Sequence, residues 1–290
     1  MHGFHFLKLL LFFCLFPVAA NGAANNCLSC HDIHDDGMAA CTSCHRGDSR
    51  STRINVAHNN FIAGQYAFFT DNGSAAVKQG LELINTLGCR RCHITDGKGN
   101  DLAANLDFLF DNATPAALHA ALDKPAYYMP AFRLADEQIT RLINAVLYGG
   151  YHRGDSLPAE EIPVVVHFEK KAANEKDTFS KACGLCHKAL TAGHGGLGEG
   201  IVAPNLSGLF SEFYPGLVDG RLRWDEKNLR EWLKNPRDKR ANTQMLPVAL
   251  NEEERHSLMQ VLGQSRKSIE ATLTSAPLIA DAAGKEYATQ

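Results

Sequence analysis

GCRRCHITDGKGNDLAANL, residues 88–106, holds a cysteine pair with a histidine directly after it, Cys89-Arg90-Arg91-Cys92-His93, and closes on the step Asn105-Leu106. CxxCH is the pattern of covalent c-type haem attachment. Two thiols three positions apart lie about one helical turn from each other, so both reach the vinyl groups of one porphyrin while the adjacent imidazole reaches the iron. Outward from this stretch the pattern recurs three times. Upstream stand Cys27-Leu28-Ser29-Cys30-His31 and Cys41-Thr42-Ser43-Cys44-His45, and downstream stands Cys183-Gly184-Leu185-Cys186-His187. The eight cysteines are therefore candidate attachment points for four haem c groups, and His31, His45, His93 and His187 are candidate iron ligands.

Two other uses of cysteine fit less well. An exported chain with many cysteines ordinarily carries a disulfide framework, but a histidine after every pair has no place in one. Structural zinc sites usually combine two half-sites of different spacing, whereas all four pairs here are alike. The ninth cysteine, Cys14, falls in the leader. Met1 to Lys8 is weakly basic, Leu9 to Phe16 is apolar, and Val18-Ala19-Ala20 marks cleavage after Ala20, so residues 1–20 read as a signal peptide. No later segment nears the roughly 20 apolar residues of a membrane span. The expectation is an exported, periplasmic protein without a transmembrane anchor, free or joined to an outer-membrane complex. A formal net charge of −3 with no basic runs makes a poor nucleic-acid binder, and no nucleic-acid partner is expected.

Residues 21–68 have little apolar periodicity and are too few and too polar to bury a core, which suits a module built around two porphyrins. Each of those irons needs a second ligand, and His34 and His58 are the candidates. His34 follows His31 by three residues and cannot wrap to the opposite face of the same iron, so it pairs with the haem of Cys41 and Cys44. His58 then serves the haem of Cys27 and Cys30. Met38, in an Asp-Asp-Gly turn, is the rival ligand.

From residue 69 helical texture takes over. Ser74 caps a helix carrying Val77, Leu81 and Ile84 that ends at Gly88. Thr114-Pro115 opens a second helix, stopped by Pro125. A third runs from Asp136 and is read as stopping at Gly149-Gly150. Residues 151–172 are a connector whose apolar run, Ile162 to Phe168, reads as a short strand or a packing arm. In 173–265 the pattern returns, with a helix around Asn228 to Leu233 and a last one capped by Asn251. The two segments are an internal repeat: Ala104-Asn105-Leu106 answers Pro204-Asn205-Leu206; Leu118, Leu122 and Pro125 answer Leu229, Leu233 and Pro236; Met129 answers Met245. Trp232 reads as pocket packing, and Gly196, Gly198 and Gly200 as places where backbone passes close to a haem edge. Residues 266–290 form an Ala, Ser and Thr-rich tail.

In order and content, 69–150 and 173–265 each resemble a class I cytochrome c domain. The resemblance implies a mainly α fold, with Met129 and Met245 as sixth iron ligands and the Pro204 carbonyl orienting the His187 ring; Ala104 takes the corresponding place in the first copy. The first 68 residues resemble bis-His haem pairs of multihaem cytochromes, and the whole resembles tetrahaem c-type cytochromes, including those associated with selenite and tellurite reduction. The function this implies is that of an electron carrier between upstream and downstream redox protein partners. Its histidine-ligated haems would be the low-potential end and its methionine-ligated haems the high-potential end, because thioether sulfur raises the potential. The alternative is a multihaem reductase or peroxidase, which needs one iron with an open position.

Overall fold

The computed structural model describes residues 25–34, 40–153, 177–217, 222–263, 279–280 and 286–287. The leader, Met38, residues 154–172 of the connector and the tail apart from its two short strands lie outside the described residues. The chain divides into two compact units, Met1–Asn59 and Asn60–Gln290.

The first unit is made of short pieces: a 3-10 turn at Asn26–Ser29, α1 at Cys41–His45 and α2 at Ile54–Ala57. None of its described residues is buried, and Leu28, Ile33, Ile54 and Val56 all stand exposed. Backbone contacts hold it instead. Asn26 N–H donates to the Ser49 carbonyl at 2.8 Å, and Asp48 N–H to that of Ala57 at 3.0 Å. Gly47 makes the second contact feasible: its φ is +83°, and a Cβ there would lie 2.2 Å from the Ala57 oxygen. The segment leading into His58 is thereby pinned beside the turn that follows His45.

The second unit is mainly helical, and its strands are hairpins of two or three residues: β1 Ile94–Thr95 with β2 Lys98–Gly99, β3 Ala189–Thr191 with β4 Gly195–Leu197, and β5 Ile279–Ala280 with β6 Glu286–Tyr287. In the first repeat, α3 (Ala75–Leu87) is capped by the Ser74 hydroxyl and ends at Gly88 in the left-handed conformation. The turn of α4 (Leu109–Asn112) and the helix α5 (Pro115–Asp123), capped by Thr114, lead to the 18-residue α6 (Asp136–Arg153). Helices α3 and α6 cross at close range, because a Cβ on Gly80 would stand 2.1 Å from the Arg141 carbonyl oxygen and 2.7 Å from the Ala145 methyl. The core behind them is Ile62, Phe69, Leu118, Ile139, Ile143 and Leu147.

Two expectations change here. Helix α6 does not stop at Gly149-Gly150 but runs through to Arg153. Both glycines are buried, and a Cβ on either would meet Asp107 within 2.8 Å. They serve close packing, not termination. Residues 60–68, read from sequence as part of the haem-pair module, pack with the second unit. The 3-10 helix Gly64–Thr70 is fastened to α6 by the fully buried Asn144, whose amide accepts from Phe68 N–H at 3.0 Å and donates to the Gln65 carbonyl at 2.9 Å. Burying that amide is tolerable only because its polar atoms are bonded.

The second repeat has α7 (Thr178–Ala182), α8 (Glu226–Lys234), the short α9 (Pro236–Lys239) and α10 (Glu252–Gly263). Asn251 and Glu254 form a reciprocal capping box at the start of α10, with bonds of 2.8 and 2.9 Å. Phe179, Leu209, Leu217, Leu229, Trp232, Leu258 and Met259 fill its core. No helix among the described residues is long and apolar enough to cross a membrane.

Candidate haem sites

Each CxxCH segment is a single tight turn. His31 N–H bonds to the Cys27 carbonyl, His93 N–H to that of Cys89 and His187 N–H to that of Cys183, all near 3 Å, while Cys41–His45 is itself α1. This winding sets the two sulfurs and the imidazole on adjoining sides of one turn. None of the eight cysteines forms a disulfide.

In the first unit the histidines meet in pairs. The rings of His31 and His58 have centroids 5.9 Å apart, and those of His34 and His45 5.7 Å apart. With metal–imidazole bonds of about 2 Å, two imidazoles on opposite faces of one iron have centroids roughly 6 Å apart. The donor set thus fits a haem iron between each pair. The two turns are neighbours, since the Asn25 side chain accepts from Cys27 N–H and donates to the Cys41 sulfur at 3.4 Å. Partial burial, then the nearby Cys41, pushes the Cys27 thiol pKa up.

In the second unit His93 and His187 share one arrangement. His93 Nδ1 lies 2.7 Å from the Ala104 carbonyl oxygen, and His187 Nδ1 lies 2.7 Å from that of Pro204. An Nδ1–H donated to a carbonyl leaves the Nε2 lone pair for iron and holds the ring still. Alanine in place of proline changes nothing here, because the acceptor is backbone. Both loops are also built alike: Asn105 accepts from Asp107 N–H and Asn205 from Ser207 N–H, each at 2.9 Å. Burial holds His93 below the usual histidine range, partly opposed by its bond to Ala104, and so favours the neutral, ligating form. Burial also pushes the Cys89 and Cys183 thiols up to about 11.

The methionines differ in their surroundings. Met245, half-buried, accepts a hydrogen bond at its Sδ from Trp232 Nε1 at 2.9 Å. Met129, also half-buried, sits in a turn closed by its N–H on the Ala126 carbonyl at 2.8 Å. In the first repeat the place of Trp232, three residues after Leu229, is taken by Ala121, three after Leu118. The bond from Trp232 is not readable from sequence, which shows only an aromatic on a helix. Gly200 lets backbone lie against the attachment turn, since a Cβ there would stand 2.1 Å from the Cys186 carbonyl carbon. Gly196 packs instead on the Tyr128 ring of the first repeat.

Residues 75–144 match the family model described as "Cytochrome C oxidase, cbb3-type, subunit III", which supports a c-type cytochrome with covalently bound haem and haem-based electron transfer. No curated protein and no solved structure matches the chain.

Proposed function

We propose that the protein is a periplasmic electron-transfer protein with four haem c groups, bound at Cys27/Cys30, Cys41/Cys44, Cys89/Cys92 and Cys183/Cys186. It relays electrons between redox protein partners in a respiratory or metalloid-reducing chain. The observation that carries this reading is the pairing of His31 with His58 and of His34 with His45, which equips both irons of the first unit with two strong donors.

Each bound iron supplies the uptake and release of one electron. The chain's own residues keep that exchange free of other chemistry. His31 with His58, and His34 with His45, would hold the first two haem groups. His93 and His187, their rings fixed by carbonyls, would hold the other two together with Met129 and Met245. Fixed ligands mean little rearrangement between oxidation states. Ligand softness orders the sites, with the histidine pairs low and the methionine sites high in potential, so electrons enter near the first unit and leave from a cytochrome domain. Exposed Leu185, Ile201 and Val202, beside the last CxxCH turn, support the second repeat as the exit.

Intact mass and peptide mapping of the purified protein test the assignment, with four haem additions expected on the eight cysteines. Carbon monoxide or cyanide should not bind without denaturation. Binding to the native protein would instead favour a multihaem reductase or peroxidase.

A further inference from the structure

Arg91 lies between the cysteines of the first repeat and is 9 % exposed, whereas Leu185, at the same place in the second repeat, is 88 % exposed. The difference comes from what covers Arg91. Its Nη1 donates to the Asn205 carbonyl at 3.1 Å, its guanidinium carbon stands 5.3 Å from the Tyr214 ring centre, and the Tyr214 hydroxyl donates to the same carbonyl at 2.9 Å. Asn205 directly follows Pro204, the acceptor of His187 Nδ1. Its side-chain amide donates to the Tyr128 carbonyl at 2.8 Å, next to Met129. Gly208 lets the loop come this near: its φ is +66°, and a Cβ there would lie 2.3 Å from the Arg91 carbonyl oxygen. One short loop of the second repeat therefore touches both the attachment turn and the methionine turn of the first, and anchors the second repeat's own histidine.

We propose that Arg91 and Asn205 form the connection along which electrons pass between the His93 and His187 sites, with the buried Arg91 charge acting on both. The inference rests on the haem reading of those two sites. From Cys92 the path runs along backbone to Arg91, across one hydrogen bond to Asn205, along backbone to Pro204 and across a second hydrogen bond to His187. Covalent bonds and short hydrogen bonds couple donor and acceptor far better than an equal length of empty space. One electron moves; one iron is oxidised and the other reduced, no bond forms or breaks, and no proton transfers. A guanidinium there favours the reduced state of each neighbour by attraction in a partly desolvated setting. Arg91 is thus a positioning residue for the transfer.

The test uses the haem-loaded full chain with Arg91→Leu, which installs the residue of the second repeat, and Arg91→Lys, which keeps the charge without the planar fork. Potentiometric titration of Arg91→Leu should show both methionine sites shifted down by a roughly tenfold change in the one-electron equilibrium constant, about 59 mV. Transient absorption after photoreduction should show exchange between them slowed several-fold. Arg91→Lys should keep the potentials and still slow the exchange. Unchanged potentials and exchange in both variants overturn the inference. Peptide mapping separates that result from failure of the underlying reading: wild-type protein lacking haem on Cys89 and Cys92, or on Cys183 and Cys186, would remove the sites themselves.

Discussion

On the proposed haem reading, replacing Trp232 with Phe should lower the potential of the site at Met245 alone. Trp232 is 8 % exposed, stacks edge-on with Trp224 at 5.5 Å, and aims its Nε1–H at Met245 Sδ over 2.9 Å. An N–H donated to the sulfur draws on the electron pair that would bind iron, and this costs the ferric state more than the ferrous. Removing the donor while keeping an aromatic ring restores that pair. A hydrogen bond of this kind is worth about 0.5–1.5 kcal/mol, and if all of it acts differentially the site falls by about 20–65 mV. The site at Met129 should not move, because Ala121 stands where Trp232 would be. The assay is spectropotentiometry of wild type and Trp232→Phe, with the near-infrared band of methionine-ligated ferric haem confirming that Met245 stays bound. A rise in potential, or an equal shift at both methionine sites, would refute the reasoning.

The same geometry has other measurable consequences. Gly80→Val puts side-chain atoms into the Arg141 carbonyl and Ala145 at the α3–α6 crossing, and should destabilise the second unit by about 1–3 kcal/mol or more in denaturant titrations. Asn251→Ala removes one half of the capping box on α10 and should cost about 1 kcal/mol, read as a lower thermal midpoint. Burial raises the Cys89 and Cys183 thiols to about 11, so in folded haem-free chain they should be mostly protonated at pH 9 and alkylate far more slowly than the exposed Cys186, gaining rate only as pH rises toward 11; the haem-loaded protein should show no alkylatable thiol among the eight CxxCH cysteines. Equal rates at the three cysteines would contradict the first part, and rapid labelling of loaded protein the second.

What is legible in the sequence is local. The caps at Ser74, Thr114 and Asn251 are short-range hydrogen bonds between a side chain and a backbone amide three positions on, and all three form. The match between Asn105 and Asn205 is equally visible, since each side chain turns back on its own loop. Gly149 and Gly150 mislead because a glycine that ends a helix and one that admits a neighbouring carboxylate look alike until the neighbour, Asp107, is known. Asn144 looks like a polar residue on an amphipathic helix; besides a local bond to Thr140, its partners Phe68 and Gln65 are 76 and 79 positions away. The Arg91–Asn205 bond spans 114 positions and joins two repeats, so no local pattern announces it. Trp232 and Met245, 13 apart, lie on separate elements whose approach depends on the fold of the whole repeat.

Low-temperature electron paramagnetic resonance through a potentiometric titration bears most directly on the central claim of four six-coordinate haems ordered by ligand type. Four low-spin signals are expected, two with paired histidine ligands that reduce last and two with histidine and methionine that reduce first. A high-spin signal in the oxidised protein, fewer than four irons, or a methionine-ligated haem as the lowest-potential site would contradict the claim.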